Sequence, residues 1–105
     1  MDKIIIIEIT HQDSIFIQIR TDRGTVESFV VTLLCDIQGQ RYEVVRFDSG
    51  HGSPHKDILD TDGHVARKVW YHYLSNAEAA NMAIADIKEH YESYRERYIK
   101  WLRVN

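Results

Sequence analysis

Apolar and polar positions alternate with a period of two through most of the first 74 residues, a pattern typical of half-buried β-strands. Six such runs are separated by turn-forming residues: 3–10, 14–20, 25–35, 41–48, 57–61 and 65–74. The last two flank Asp62-Gly63, a strong signal for a two-residue hairpin turn. Because every connection is short, the strands are expected to pair antiparallel as a meander.

The last third of the chain has a helical period. Ser75-Asn76-Ala77-Glu78 matches a capping box, which predicts a helix start. Apolar residues then recur at steps of three and four: Ala80, Ile84, Ile87, Tyr91, Tyr94, Tyr98 and Trp101. The stripe predicts that Ile84 and Ile87 are buried on the sheet. Since it becomes aromatic at Tyr91, its second half is expected to pack round a sheet edge, break near Ser93, or meet a partner.

Together these patterns predict one α+β domain: an antiparallel meander sheet of five or six strands in residues 1–74, and one long C-terminal helix in 75–103 packed on one face. A length of 105 residues leaves room for one domain. With 44% apolar and 28% charged residues, the composition is that of a globular protein.

Cysteine content and charge limit the compartment and the partners. Cys35 is the single cysteine, so a disulfide framework is excluded and a reducing, cytoplasmic location is expected. The apolar run 4–7 is too short for a signal peptide or a membrane span, and no membrane partner is expected. A net charge of −3 gives no general attraction to nucleic acid, so such binding would need a local basic patch.

The strongest basic patch lies at the end of the helix and consists of Arg95, Arg97, Lys100 and Arg103. Interleaved with the aromatic stripe, these cations are candidate nucleic-acid-binding residues, which would hold phosphates while the rings stack on bases. Alternatively, the stripe is part of the core and the cations complement the helix dipole.

Most candidate chemistry lies between Arg46 and Lys56, where a strand runs into a glycine-broken loop. His51 and His55 could act as an acid–base pair, with Arg46 binding a phosphate and Asp48 orienting an imidazole. This set suits metal-free RNA cleavage, for which no cofactor is needed. Since both histidines are expected on an exposed loop, replacing either should not lower thermal stability.

Two other interpretations of this segment stay open. Asp48, His51 and His55 could supply ligands for a divalent metal, although their spacing is not diagnostic. The loop could instead be a simple connection beside a surface ion pair of Arg46 and Asp48. The remaining histidines are expected to be structural or solvent-facing: His11, His64, His72 and His90. Walker, dinucleotide-binding and paired-cysteine zinc motifs are absent from the sequence.

Arg46-Phe47-Asp48-Ser49 followed by Pro54-His55-Lys56 resembles the TumE-like small toxins of toxin–antitoxin modules, in which an arginine-aromatic-aspartate strand end precedes a proline-histidine element. The resemblance implies a small intracellular toxin that acts on RNA and is held by an antitoxin protein. The resemblance also implies that Arg46, Asp48 and His55 are functional-site residues. The alternative function is a non-catalytic protein-binding module or a homo-oligomer that docks through the aromatic helix.

Overall fold

The computed structural model describes residues 1–104. Six strands form one sheet in which each strand pairs antiparallel with the next along the chain, and one helix follows. The elements are β1 Asp2–Glu8, β2 Asp13–Asp22, β3 Thr25–Ile37, β4 Gln40–Asp48, β5 His55–Leu59, β6 Val65–Trp70 and α1 Asn76–Val104. The predicted α+β meander with one long C-terminal helix packed against the sheet is confirmed.

The predicted β6 is four residues too long, since the strand ends at Trp70 and not at Leu74, and β5 starts and ends two residues earlier than predicted. This strand begins at His55, which pairs with Asp48, so His55 belongs to the sheet and not to the exposed loop. At the other end of β5, Asp62 and Gly63 lie in a loop spanning 60–64 and do not form a two-residue turn. The Asp60 carboxylate closes this loop by accepting the amide hydrogens of Asp62 and His64, each at 2.9 Å.

Strand alternation gives the sheet one apolar face, and α1 covers it mainly over β3 and β4. The buried apolar side chains of the strands form the core with the helix: Ile15, Ile17, Phe29, Val31, Leu33, Cys35, Ile37, Val44, Val45, Phe47 and Ile58. Within residues 1–104, α1 covers the apolar face alone, and the opposite face carries the polar residues of β4 and β5.

The predicted capping box is present at the start of α1. Glu78 donates its amide to the Ser75 hydroxyl at 3.1 Å, and the Ser75 amide donates to the Glu78 carboxylate at 3.0 Å. These two bonds satisfy backbone donors that the first helical turn would otherwise leave unpaired. The small side chains of Ala79, Ala80 and Ala83 then let the helix approach the sheet closely.

The helix continues through Ser93 without a break and runs to Val104. Tyr94 and Tyr98 are buried, and the Tyr98 ring lies 5.3 Å from that of Tyr42 on β4. Tyr91 and Trp101 are half-buried against the same core. The aromatic half of the stripe therefore packs on the sheet. Within residues 1–104, no helix has the length and apolar composition needed to cross a membrane.

Ile87 is 0% exposed, whereas Ile84 is half-buried at the border of the core. We expect Ile87→Ala to lower the free energy of unfolding by about 2–5 kcal/mol, because the lost methyl groups leave a cavity under the helix. Ile84→Ala, the matched control, should cost less. Urea unfolding followed by circular dichroism measures both. Equal losses at the two positions would contradict this packing.

The capping box also predicts a pH dependence. The pKa of Glu78 lies below its ordinary value because the Ser75 backbone amide, and then the Ser75 side chain, bind its charged form. A depressed folded-state pKa adds stability above the unfolded-state pKa, and this stability is lost as the pH falls through the folded value. Glu78→Gln should therefore be less stable than the parent at neutral pH, and the two should converge in acid. Glu43→Gln, at an exposed strand position, should show no such convergence in parallel thermal melts.

Candidate functional site

The register of β4, β5 and β6 gathers polar side chains in two rows on the face opposite the helix. Asp48, His55 and Trp70 are cross-strand neighbours in one row. Arg46, Asp57 and Lys68 form the next row. Strand alternation in the sequence predicts that Arg46 and Asp48 point the same way, and their 3.1 Å contact confirms this. Asp57 and Lys68 were missed. Asp57 was not assigned because the sequence did not show that β5 starts at His55. Strand alternation from His55 puts Asp57 on the same face.

Arg46 joins the two carboxylates of this cluster. Its Nε donates to Asp48 Oδ2 at 3.1 Å, and its Nη2 donates to Asp57 Oδ2 at 3.2 Å. Lys68 Nζ lies 3.5 Å from the other Asp57 oxygen. The Asp57 side chain is only 3% exposed, so this is a partly buried charge network rather than a surface ion pair. Losing one partner would leave a buried charge uncompensated.

His55 is 2% exposed and is held at both ring nitrogens. Its Nδ1 lies 3.0 Å from the Ser53 carbonyl oxygen, to which an Nδ1–H group can donate. Its Nε2 lies 3.1 Å from Asp48 Oδ1 and 3.5 Å from Asp57 Oδ2. Nε2 thus faces oxygen atoms of two carboxylates, to which an Nε2–H group can donate. His55 thus has no free nitrogen that faces solvent.

The loop after β4 folds over the cluster as a short 3₁₀ turn, Gly50–Gly52. The Gly50 amide donates to Asp48 Oδ1 at 2.7 Å, and a Cβ at this glycine would lie 2.9 Å from the same oxygen. Any larger residue at position 50 would therefore disturb the contact. His51 follows with a φ of 63°, in the left-handed region. Its ring is exposed and lies 6.3 Å from the His55 ring.

A second exposed imidazole borders the loop from the β6 side. The ring centroids of Trp70 and His55 lie 4.9 Å apart. The His72 ring stacks on the Trp70 ring, with a centroid distance of 5.3 Å and an interplanar angle of 7°. His72 Nδ1 lies 3.1 Å from the Ser53 hydroxyl oxygen. The sequence assigned His72 no role near the loop, because its approach depends on the β5–β6 pairing. His64 lies in the loop spanning 60–64, and its amide is bound there to Asp60.

A groove of about 380 Å³ opens on the other side of the loop, over β1, β2 and β3. Its lining residues come from these strands and from the start of the loop: Asp2, Gln18, Arg20, Ser28, Phe29, Val30, Asp48, Ser49 and Gly50. Asp48 is the one residue that belongs to both the charge network and the groove. A ligand of nucleotide size would fit here and would contact the network through Asp48.

The sequence profile of DUF7718, a domain of unknown function, matches residues 1–104. The chain belongs to this family. No curated protein and no solved structure matches it. The resemblance to TumE-like toxins stays a prediction.

In this DUF7718 domain a metal could be held by a ligand set that differs from the one considered in the sequence. Oxygen atoms of Asp48 and Asp57 and a nitrogen of His55 lie within 4.8 Å of one another, and Asp57 takes the place assigned to His51. The Ser53 carbonyl would fix the His55 ring, as outer-shell acceptors do for metal-bound histidines. However, Arg46 and Lys68 already compensate both carboxylates, so a divalent cation would compete with them.

The four basic residues proposed to bind nucleic acid have different surroundings. Arg95 is bound internally, by Asp13 at 2.7 Å, Gln12 at 3.2 Å and the Asp36 carbonyl at 2.8 Å. Arg97 packs against two aromatic rings. Lys100 and Arg103 are exposed. The four cations therefore do not form one continuous surface in the DUF7718 domain.

The burial of His55 changes the stability expected for the two loop histidines. We expect His55→Ala to lower the free energy of unfolding by about 2–4 kcal/mol, because Asp48 and Asp57 lose a buried partner. The expectation of unchanged stability rested on an exposed His55, and this placement is wrong because His55 is buried in β5. His51→Asn, which keeps a side chain tolerant of positive φ, should stay within about 0.5 kcal/mol of the parent. Thermal and urea unfolding test both, and comparable losses would contradict the assignment.

Proposed function

We propose that this protein is a small toxin-like enzyme that cleaves RNA without a metal, at the loop 49–54. One observation carries this proposal: a partly buried Arg46–Asp48–His55 network holds a loop that exposes the imidazole of His51, and Asp48, Ser49 and Gly50 at the start of this loop line a groove of about 380 Å³. Burying a charge network of this kind costs desolvation free energy. Such a cost is more typical of a functional site than of a loop that only connects two strands.

The chemistry needs two proton transfers and one site for negative charge. A base takes the proton from the ribose 2′-hydroxyl, and the 2′-oxygen forms a bond to phosphorus. The bond from phosphorus to the 5′-oxygen breaks, and an acid donates a proton to that oxygen, leaving a 2′,3′-cyclic phosphate. Imidazoles can perform both transfers near neutral pH.

His51 and His72 are the exposed imidazoles that border this loop, and we assign them the two proton transfers. His55 becomes a positioning residue, because both of its nitrogens are already engaged. Asp48 faces the groove while it holds the His55 ring and the Gly50 amide. Arg46 binds both Asp48 and Asp57 and adds positive charge to the site.

The expected context is that of a toxin: a cytoplasmic protein whose activity is held by an antitoxin partner. The alternative, a docking module or homo-oligomer that uses the aromatic helix, has less support, since Tyr94 and Tyr98 are buried in the chain's own core. An antitoxin would instead be expected to cover the loop and the groove, where the exposed chemistry lies.

RNA cleavage and growth arrest test the proposed function. We expect His51→Asn and His72→Gln to lower the cleavage rate about 100-fold or more while both proteins stay folded. Arg46→Lys should also impair cleavage, because lysine cannot bind both carboxylates through a planar fork. The matched control is His11→Ala, which removes an exposed imidazole from the β1–β2 turn.

The pH profile and the effect of a chelator distinguish metal-free from metal-dependent RNA cleavage. The parent should show a bell-shaped profile centred near neutral pH, and EDTA should leave its rate unchanged. If chelation alone removes activity, the Asp48, His55 and Asp57 set becomes the site of a metal-dependent reaction. Full cleavage and full growth arrest by the double variant of His51 and His72 would exclude these two residues as catalysts.

A further inference from the structure

Arg97 is a half-buried cation that lacks an acidic partner in the part of the chain that the structure describes. Its guanidinium lies 5.3 Å from the centroid of Tyr94 and 5.4 Å from that of Trp101. Its Nε and Nη2 atoms are buried and have no hydrogen-bond acceptor within residues 1–104. Aromatic faces compensate part of the charge, but they do not replace hydrogen bonds to buried N–H groups.

Arg95, two residues earlier on the same helix, shows how this fold satisfies a buried guanidinium. Its terminal nitrogens bind the Asp13 carboxylate, the Gln12 side chain and the Asp36 carbonyl. The Asp86 carboxylate, also on the helix, accepts a hydrogen bond from Tyr94 rather than from Arg97. Within residues 1–104, neither the helix nor the sheet therefore supplies a hydrogen-bond acceptor for Nε and Nη2 of Arg97.

A pocket of about 230 Å³ opens beside Arg97, between the C-terminal half of α1 and the strands β5 and β6. Ile58, Ala66, Arg67, Arg97 and Trp101 line it. Burial lowers the pKa of Arg97, and the like charge of Arg67 lowers it further, whereas Tyr94 acts in the opposite direction. Two cations thus border one small pocket, and no carboxylate of residues 1–104 forms an ion pair with either of them.

We propose that this pocket binds a phosphate group between Arg67 and Arg97, with the Trp101 ring as one wall. Two uncompensated guanidinium groups match the nearly double negative charge of inorganic phosphate or a phosphate monoester better than the single charge of a carboxylate. Binding requires that the Arg97 side chain turn so that its buried N–H groups reach the phosphate oxygens. The site lies on the helix-covered side of the sheet and does not depend on the proposed RNA cleavage.

Thermal melts and tryptophan fluorescence in phosphate-free buffer test this site. Inorganic phosphate should raise the Tm of the parent, and it should change the fluorescence of a Trp70→Phe variant, in which Trp101 is the remaining tryptophan. Chloride at equal ionic strength and acetate should have little effect. In Arg97→Met, phosphate should bind about tenfold more weakly or worse, and without phosphate this variant should be at least as stable as the parent.

Lys100→Met is the matched control, since it removes an exposed cation from the same helix and should keep the phosphate response. Adenosine monophosphate distinguishes the sources of the phosphate. If it binds at least as well as inorganic phosphate, the ligand is a phosphate monoester, whereas binding of inorganic phosphate alone assigns a free phosphate site. An unchanged Tm of the parent, an equal response to acetate, or an equal loss in Lys100→Met would overturn the proposal.

Discussion

The pairing of β4 with β5 is the constraint on which the polar site depends. It places Asp48 opposite His55 and Arg46 opposite Asp57, so that two carboxylates and two nitrogen-bearing side chains meet on one face. Asp48 accepts hydrogen bonds from Arg46 and from the Gly50 amide, whereas Asp57 accepts one from Arg46, and its other oxygen has only an ion pair with Lys68 at 3.5 Å. A shift of β5 by one residue would send His55 and Asp57 to the apolar face. The core pattern on the helix side, with Val45 opposite Ile58, excludes that shift.

The same pairing explains why the loop after β4 has a defined shape. Asp48 binds the Gly50 amide, the Ser49 hydroxyl accepts the Phe29 amide at 3.0 Å, and His55 binds the Ser53 carbonyl. The loop is therefore held at its start, at its end and from the neighbouring strand. An exposed group that such a loop carries, like His51, has a backbone position fixed before any ligand arrives, which lowers the entropic cost of binding.

Local sequence signals predicted the fold well because they act over a few residues. The Ser75–Glu78 capping box fixed the helix start, and strand alternation placed Arg46 and Asp48 on one face. The site was predicted in part, since Arg46, Asp48 and His55 do meet. Asp57 and His72 were not assigned to it, because their approach depends on long-range register and on β5 starting directly after Pro54. A proline next to a glycine-rich segment indicates a turn. No local sequence signal shows that the residue after it already pairs with the neighbouring strand.

The C-terminal half of the helix shows that clustered basic residues in the sequence need not form one basic surface in the fold. Arg95 and Arg97 read as members of one basic patch, yet the twist of the helix turns them toward different strands. Arg95 faces β2 and β3, where Asp13 provides a buried acceptor, and it ties the helix to the sheet. Arg97 faces β5 and β6, where Arg67 is its charged neighbour. One arginine is thus a structural link, while Nε and Nη2 of the other have no hydrogen-bond acceptor within residues 1–104.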